Sequence, residues 1–185
     1  TVCVLRHDPK EYVLTEGGAE EYVNKIVELY PGTVEFKNHF YLERGMFDIA
    51  AVLDESVSEE PLRIEGRLID VYDSTLPIYS VKELFPGQQC LLIDVNRVGH
   101  PSTPRVLAAA AREYDEKVTD NSYRFVCRSP VRTTNVARIL LPVQPSSVKI
   151  AGVEVFDESE WDEFTHTYRI THENAPDGVA VEFEW

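Results

Sequence analysis

The feature that most limits the fold is a rhythm of short apolar runs, each about the length of a strand and each closed by glycine, proline or a polar turn. "TVEFKNHFYLERG", "MFDIAAVLDES", "LRIEGRLIDVYD" and "QQCLLIDVN" follow one another, punctuated by Gly45, Gly66, Pro77, Pro86 and Gly87. Later come "SYRFVCRS", "NVARILLP", "SSVKIAGVEVF", "HTYRITHE" and "GVAVEFEW". In the last of these Val179, Val181 and Phe183 alternate with Ala180, Glu182 and Glu184, the period of two that marks a half-buried strand. Strands recurring with short polar turns and no intervening helices predict antiparallel sheets packed face to face. The expected fold is mainly β, an antiparallel β-sandwich of jelly-roll-like kind.

One segment departs from that rhythm. After "TEGG", the run "AEEYVNKIVELY" sets Tyr22, Val23, Ile26, Val27 and Tyr30 on one helical face and Glu20, Glu21 and Glu28 mostly on the other, and Pro31–Gly32 stops it. The spacing predicts an amphipathic helix over Ala19–Tyr30. "TPRVLAAAAREYDEKV" is ambiguous, because its alanines favour helix while its apolar pattern suits a buried strand, toward which the reading leans. Asn96–Val106, "NRVGHPSTPRV", gathers prolines, a glycine and small polar residues between two apolar runs. It is the expected junction between a β-rich subdomain with one helix, 1–98, and an all-β sandwich subdomain, 105–185. At 185 residues the chain can also form one domain overall.

Composition narrows the partners. With 32 acidic against 18 basic residues the net charge is −14, and such a surface repels a phosphate backbone and an anionic leaflet alike. Nucleic acid and membrane are therefore not expected. Cys3, Cys90 and Cys127 are odd in number and far apart, each in an apolar run, and read as buried thiols with neither disulfide nor metal spacing. No run approaches about 20 apolar residues, and no signal peptide is visible, so the compartment stays open. Thr1 and the strand-like "TVCVL", with a single methionine at Met46, suggest a piece of a longer polypeptide whose neighbouring domains would be partners.

Signatures of common chemistry are missing: no phosphate-cradling glycine loop, no "GxSxG", no "HExxH", no "CxxC" and no EF-hand loop. Neither a catalytic residue nor a metal ligand nor a cofactor is expected on this ground. Three weaker constellations remain. Asp54 and Glu55 in "LDES", with Asp70 and Asp73 in "IDVYD", supply the residue type for carboxylate-dependent glycoside hydrolysis, which needs two facing carboxyl groups roughly 5 to 10 Å apart. Their ordinary use is capping and solvation, and a bound calcium is a third use that no spacing singles out. His166 and His172 flank "TYRIT" and, along a straight strand, stand about 20 Å apart, too far to share a metal; His7, His39 and His100 read as exposed or hydrogen-bonded. Among the aromatics, Tyr72 and Tyr79 flank "YDSTLPIY", Trp185 closes the chain, and Trp161 in "DESEWDEF" joins an indole to carboxylates, the pairing that sugar-binding surfaces use. Trp161 is the candidate ligand contact, and its alternative use is to fold back over the sandwich edge.

The segment "SYRFVCRSPVRTTNVARILLPVQPSSVKIAG", followed by "ESEWDEFTHTYRITHENAPDGVAVEFEW", resembles the C-terminal β-sandwich domains of multidomain bacterial glycoside hydrolases. The likeness covers about residues 120–185: a strand ending in proline, a "P..V...G" strand, a Trp-containing turn, a "TYRI" strand and a closing strand. It implies an accessory module of a carbohydrate-processing protein, without catalytic residues, that is structural or weakly glycan-binding. The alternative is a small carboxylate-dependent enzyme with its site among Asp54, Glu55, Asp70 and Asp73.

Overall fold

Asp8 opens the first helix by accepting the Lys10 backbone N–H at 2.9 Å, with proline at the first helical position. The computed structural model describes every residue except 1–3, 5, 7, 35–36 and 55–59, so Cys3, His7, Glu55 and most of "TVCVL" lie outside the described residues. The chain divides into two units, Thr1–Lys37 and Asn38–Trp185. The first unit is a helical hairpin of α1 (Pro9–Val13) and α2 (Gly18–Leu29). Gly18 permits the tight approach, because a Cβ there would collide with the Tyr12 carbonyl oxygen. Lys25 donates to Glu21 at 2.7 Å and caps the Tyr12 ring at 5.2 Å. The amphipathic helix thus lies within one residue of its predicted span. Helix α1, too short to show a period, was not anticipated.

Among its described residues the second unit is strands and turns apart from two short 3-10 turns. Its first sheet contains β1 (His39–Arg44), β2 (Phe47–Val52), β3 (Leu62–Asp70), β4 (Ile78–Leu84) and β5 (Gln89–Asp94), in the order β1-β2-β5-β3-β4. All pairings are antiparallel, and a bulge between Glu65 and Leu68 bends β3 so that its first half pairs with β4 and its second half also with β5. One face buries Ala50, Val52, Ile64, Leu68, Leu84, Cys90 and Leu92. The opposite face contributes Ile69 and Ile93 to a second cluster.

After Asn96–Val106 the strands belong to two other sheets. β6 (Arg105–Ala109), β9 (Thr134–Leu140), β12 (Trp161–Asp162) and β13 (Thr167–Glu173) form one, in the order β12-β13-β9-β6. β7 (Arg112–Val118), β8 (Ser122–Arg128), β10 (Ser147–Ile150), β11 (Val153–Glu154) and β14 (Val179–Glu184) form the other, in the order β11-β10-β14-β8-β7. Together they make a β-sandwich whose core joins Tyr123, Phe125 and Cys127 of β8, Ile139 of β9, Tyr168 and Ile170 of β13, and Val181 and Phe183 of β14. The alanine-rich segment is two strands, β6 and β7. Burial on the sandwich core overrides alanine's helix preference there, since Ala109 and Ala111 pack against that core. Pro142 and Pro145 lie where the chain crosses from β9 in one sheet to β10 in the other, so no ladder requires their missing N–H.

The first sheet packs on the outer face of the sandwich. Ile69, Leu76, Ile93, Val95 and Val98 meet Leu107 and Leu140 in one buried cluster. Arg138 of β9 crosses the same boundary, its Nε donating to the Leu76 carbonyl oxygen at 2.9 Å.

Candidate functional site

Trp161 stands at the start of β12, opposite Tyr168 of β13. Asp157 organises its approach by accepting both the backbone N–H and the hydroxyl of Ser159, at 2.9 and 2.7 Å, which opens the 3-10 turn Glu158–Glu160. These bonds hold the Asp157 carboxyl below its ordinary value, the Ser159 hydroxyl having the larger effect. Asp162 fixes the far side through Thr165 N–H and hydroxyl at 2.7 and 2.6 Å. Between them the Trp161 indole is half-buried against the sandwich core, donates its Nε1–H to Glu163 at 2.8 Å, and forms a T-shaped pair with the His166 ring at 5.9 Å. Glu160 is held by a bidentate pair with Arg169, at 2.7 and 2.9 Å. Most of the carboxylates that surround the indole in sequence are thus engaged with this turn or with Arg169. Beside them Tyr168, Arg169 and Asp157 line a recess of about 180 Å³.

The second constellation divides between a strand end and two turns. Asp54 is exposed, packed so tightly on Gly87 that a Cβ there would collide with it. Asp70 ends β3 opposite Leu92 in the middle of β5, whereas Gly87 lies in the turn before that strand begins. Asp73 is on a surface turn, accepting the Thr75 N–H and hydroxyl at 2.9 and 2.7 Å, bonds that hold its carboxyl below the usual value. Asp54 thus stands apart from Asp70, while Asp70 and Asp73 both feel the Lys82 charge, and Glu55 lies outside the described residues.

What the sheet register does bring together is a pair of buried carboxylates of which only one was anticipated. Asp48 of β2 and Asp70 of β3 both stand opposite Leu92, in one row on one face, with Cα atoms roughly 10 Å apart across the intervening strand. Asp70 is 5% exposed and accepts Lys82 at 2.8 Å and the Tyr72 N–H at 3.0 Å. Burial pulls the Lys82 ammonium down, but the bond and charge of Asp70 offset it and the net shift is upward. Lys82 also lies over the Tyr79 ring at 4.5 Å.

Asp48 is 2% exposed, pairs with Arg97 at 2.5 Å and accepts the Tyr41 hydroxyl at 2.9 Å. Burial, then the bond to Asp48, pushes the Tyr41 phenol well above its ordinary value. Asp94 joins from the same side, 3.2 Å from Arg97. Each buried carboxylate thus has its own cation. The signal for Asp48 was present in "FDIAAV", where it shares the alternation of Ala50 and Val52 and so occupies a core-facing position. Its partner Arg97 is distant in the chain, and only the fold brings the two together.

A groove of about 380 Å³ runs between the β3–β4 turn and the outer face of the sandwich. Asp73, Ser74, Thr75 and Thr134 give it a polar rim, and Val71, Ala108 and Val136 an apolar wall. Cys90 and Cys127 are free buried thiols, pushed by burial up to about 11 and about 12 respectively. Among the described residues no group of three or more His, Cys, Asp or Glu side chains is arranged to hold a metal ion. No helix of the described residues is long and apolar enough to cross a membrane. No protein-family model matches this chain, and neither does any curated protein or any solved structure.

Proposed function

We propose that this chain is a non-catalytic accessory β-sandwich module of a carbohydrate-processing protein, chiefly structural and at most a weak glycan contact. The observation that carries the non-catalytic part is the pairing of Asp48 with Arg97 and of Asp70 with Lys82. A carboxylate that acts on a substrate needs a path to it, whereas these two are 2% and 5% exposed and each is committed to a cation inside the fold. The carbohydrate setting rests on the resemblance of residues 120–185 to C-terminal domains of glycoside hydrolases. Two surfaces carry the group types a sugar ring needs. One is the Trp161 turn, and the other is the groove rim at Asp73, beside which Tyr72 is 59% exposed.

The test is a titration with mixed oligosaccharides alongside a hydrolysis assay on chromogenic glycosides. The proposal expects no turnover and binding no tighter than the millimolar range, weakened by Trp161→Ala or Tyr72→Ala. The rival reading, carboxylate-dependent hydrolysis with a site among Asp54, Glu55, Asp70 and Asp73, draws on Asp70, which shares a row of the sheet with a second carboxylate, Asp48. Turnover that disappears in Asp70→Asn, with the fold retained, would replace the module by the enzyme.

A further inference from the structure

We propose that β1 is a pairing edge through which two copies of this chain join their first sheets in one antiparallel ladder. This inference is independent of any carbohydrate role. Strand β1 is the outermost strand of its sheet, and among the described residues no strand pairs with its outer side. It is also unusually bare: Phe40 is 53% exposed, Tyr41 41% and Leu42 42%. Charged or shielded edges are the usual protection against association, and here the charges, Glu43 and Arg44, occupy one end of the strand and leave its apolar middle, Phe40–Leu42, open to a partner strand.

The hydrogen-bond phase of the strand fixes the register. The Asn38 carbonyl oxygen accepts the Leu53 N–H, and hydrogen-bonded pairs alternate along an antiparallel ladder, so Phe40, Leu42 and Arg44 direct their backbone groups toward β2. His39, Tyr41 and Glu43 direct theirs outward. A second copy can use those groups only by aligning odd-numbered residues with odd-numbered ones. The two-fold arrangement that engages all of them sets Tyr41 opposite the partner's Tyr41, and His39 opposite the partner's Glu43, for about six backbone hydrogen bonds.

That register also suits the side chains. Phe40 falls opposite the partner's Leu42 on the face that already carries half-buried Ile49, Ala51 and Leu91, so the apolar patch becomes continuous across the join. On the other face the imidazole of His39 meets the carboxylate of the partner's Glu43. Glu43 is reachable, its side chain being 62% exposed, and its carboxylate would be shared with the Tyr41 hydroxyl at 3.0 Å and Arg97 at 3.6 Å. With a charge of −14 on each chain, long-range repulsion opposes the dimer and added salt strengthens it.

Sedimentation equilibrium across the micromolar to millimolar range tests the association. The wild-type chain is expected to dimerise with rising concentration, more readily at 0.5 M than at 0.05 M salt. Tyr41→Pro removes an outward N–H and no donor of the β1–β2 ladder, and it should weaken the dimer at least tenfold. Because that change also deletes the Tyr41 hydroxyl, His39→Pro provides a second block at the first strand position. The register is read separately by cross-linking in a Cys3→Ser background: oxidising a mixture of Phe40→Cys and Leu42→Cys chains should give mainly the mixed covalent dimer. A wild-type chain that stays monomeric throughout overturns the proposal, as does a dimer indifferent to both prolines. Cross-links without preference for the mixed pair overturn the register.

Discussion

Arg138 donates from Nε to the carbonyl oxygen of Leu76 at 2.9 Å and from an Nη to the Thr167 hydroxyl at 3.1 Å, so a buried cation joins the β3–β4 turn to the sandwich. Leu76 is held at φ 49°, a left-handed conformation that a branched side chain adopts only when its surroundings impose it. Burial, and secondarily the charge of Arg169, pulls the Arg138 pKa down to about 10. The sign follows from linkage: the unfolded chain holds this proton more tightly, so the cation disfavours folding at neutral pH and that penalty fades only as pH rises through about 10. Arg138→Ala is expected to cost about 3 kcal/mol, from lost packing and two stranded acceptors. Arg138→Met keeps the stem and removes the charge, and should cost under about 1.5 kcal/mol by urea denaturation.

Removing one member of the Asp48–Arg97 pair is costlier than removing an exposed neighbour. Asp48→Ala should lower stability by about 3 kcal/mol, because Arg97 keeps only Asp94 and Glu43 and the Tyr41 hydroxyl loses an acceptor. Glu43→Ala, at the exposed end of the same cluster, should change stability by under about 0.5 kcal/mol. Equal effects in chemical denaturation would show that Asp48 is not the anchor.

These two sites also show what could be read in advance. The strands were legible because alternation of apolar and polar residues survives wherever one sheet face is buried, as in Val179, Val181 and Phe183. The helix was legible from its period. Asp48 could have been found as a charge at a core-facing position, but its row with Asp70 depends on the order β2-β5-β3, which no local pattern encodes. The separation of Asp54 from Asp70 has the same origin: a local pattern fixes neither strand register nor turn direction. Trp161 was legible as an indole among carboxylates, while the engagement of those carboxylates with Ser159, Thr165 and Arg169 is a property of the folded turn.

Cys90 titrates against the fold at alkaline pH. Its folded pKa, about 11, lies above the ordinary thiol value because burial disfavours the thiolate, with the Asp70 charge adding to the shift. A raised folded value contributes stability that is complete below the unfolded pKa and is lost as pH rises through the folded one. Melting temperature should therefore fall between about pH 9 and pH 11, and fall less steeply in Cys90→Ala. Thiol reagents should label Cys90 and Cys127 slowly at pH 8 and rapidly in denaturant. Fast native labelling would contradict the burial of both strands.

Asn135 is fully buried, and its amide is committed on both sides. Its oxygen accepts the Ala110 N–H at 2.8 Å, while its nitrogen donates to His172 Nε2 at 3.0 Å and approaches Cys127 Sγ at 3.5 Å. His172 Nδ1 donates to the Glu173 carbonyl at 2.9 Å, which leaves Nε2 as the acceptor. Asn135→Ala removes the shorter of two bonds made by the Ala110 N–H, which keeps the Val136 carbonyl at 3.3 Å, and empties a fully buried site, so it should cost about 2 kcal/mol. His172→Ala removes a partner at the surface side only and should cost about 1 kcal/mol. Amide exchange at Ala110 that speeds up in Asn135→Ala but not in His172→Ala would confirm the division of roles.

Trp161 separates core closure from ligand contact. Its indole packs against the sandwich core and its N–H is bound to Glu163, so truncation removes packing as well as surface. A fully buried aromatic truncated to alanine costs about 3 to 5 kcal/mol, and for a half-buried one the expectation is about 2 kcal/mol. Trp161→Phe keeps most of the packing but not the N–H, so it should recover at least half of that loss. Glu163→Gln keeps an acceptor and should be nearly silent in stability. If the turn also holds a sugar ring, Trp161→Phe should retain binding through its aromatic face while Trp161→Ala abolishes it, an order that glycan affinity electrophoresis can read. Full stability in Trp161→Ala together with lost glycan retention would make the indole a binding platform. Loss of stability with no glycan binding in the wild-type chain would leave it as the lid of the sandwich core.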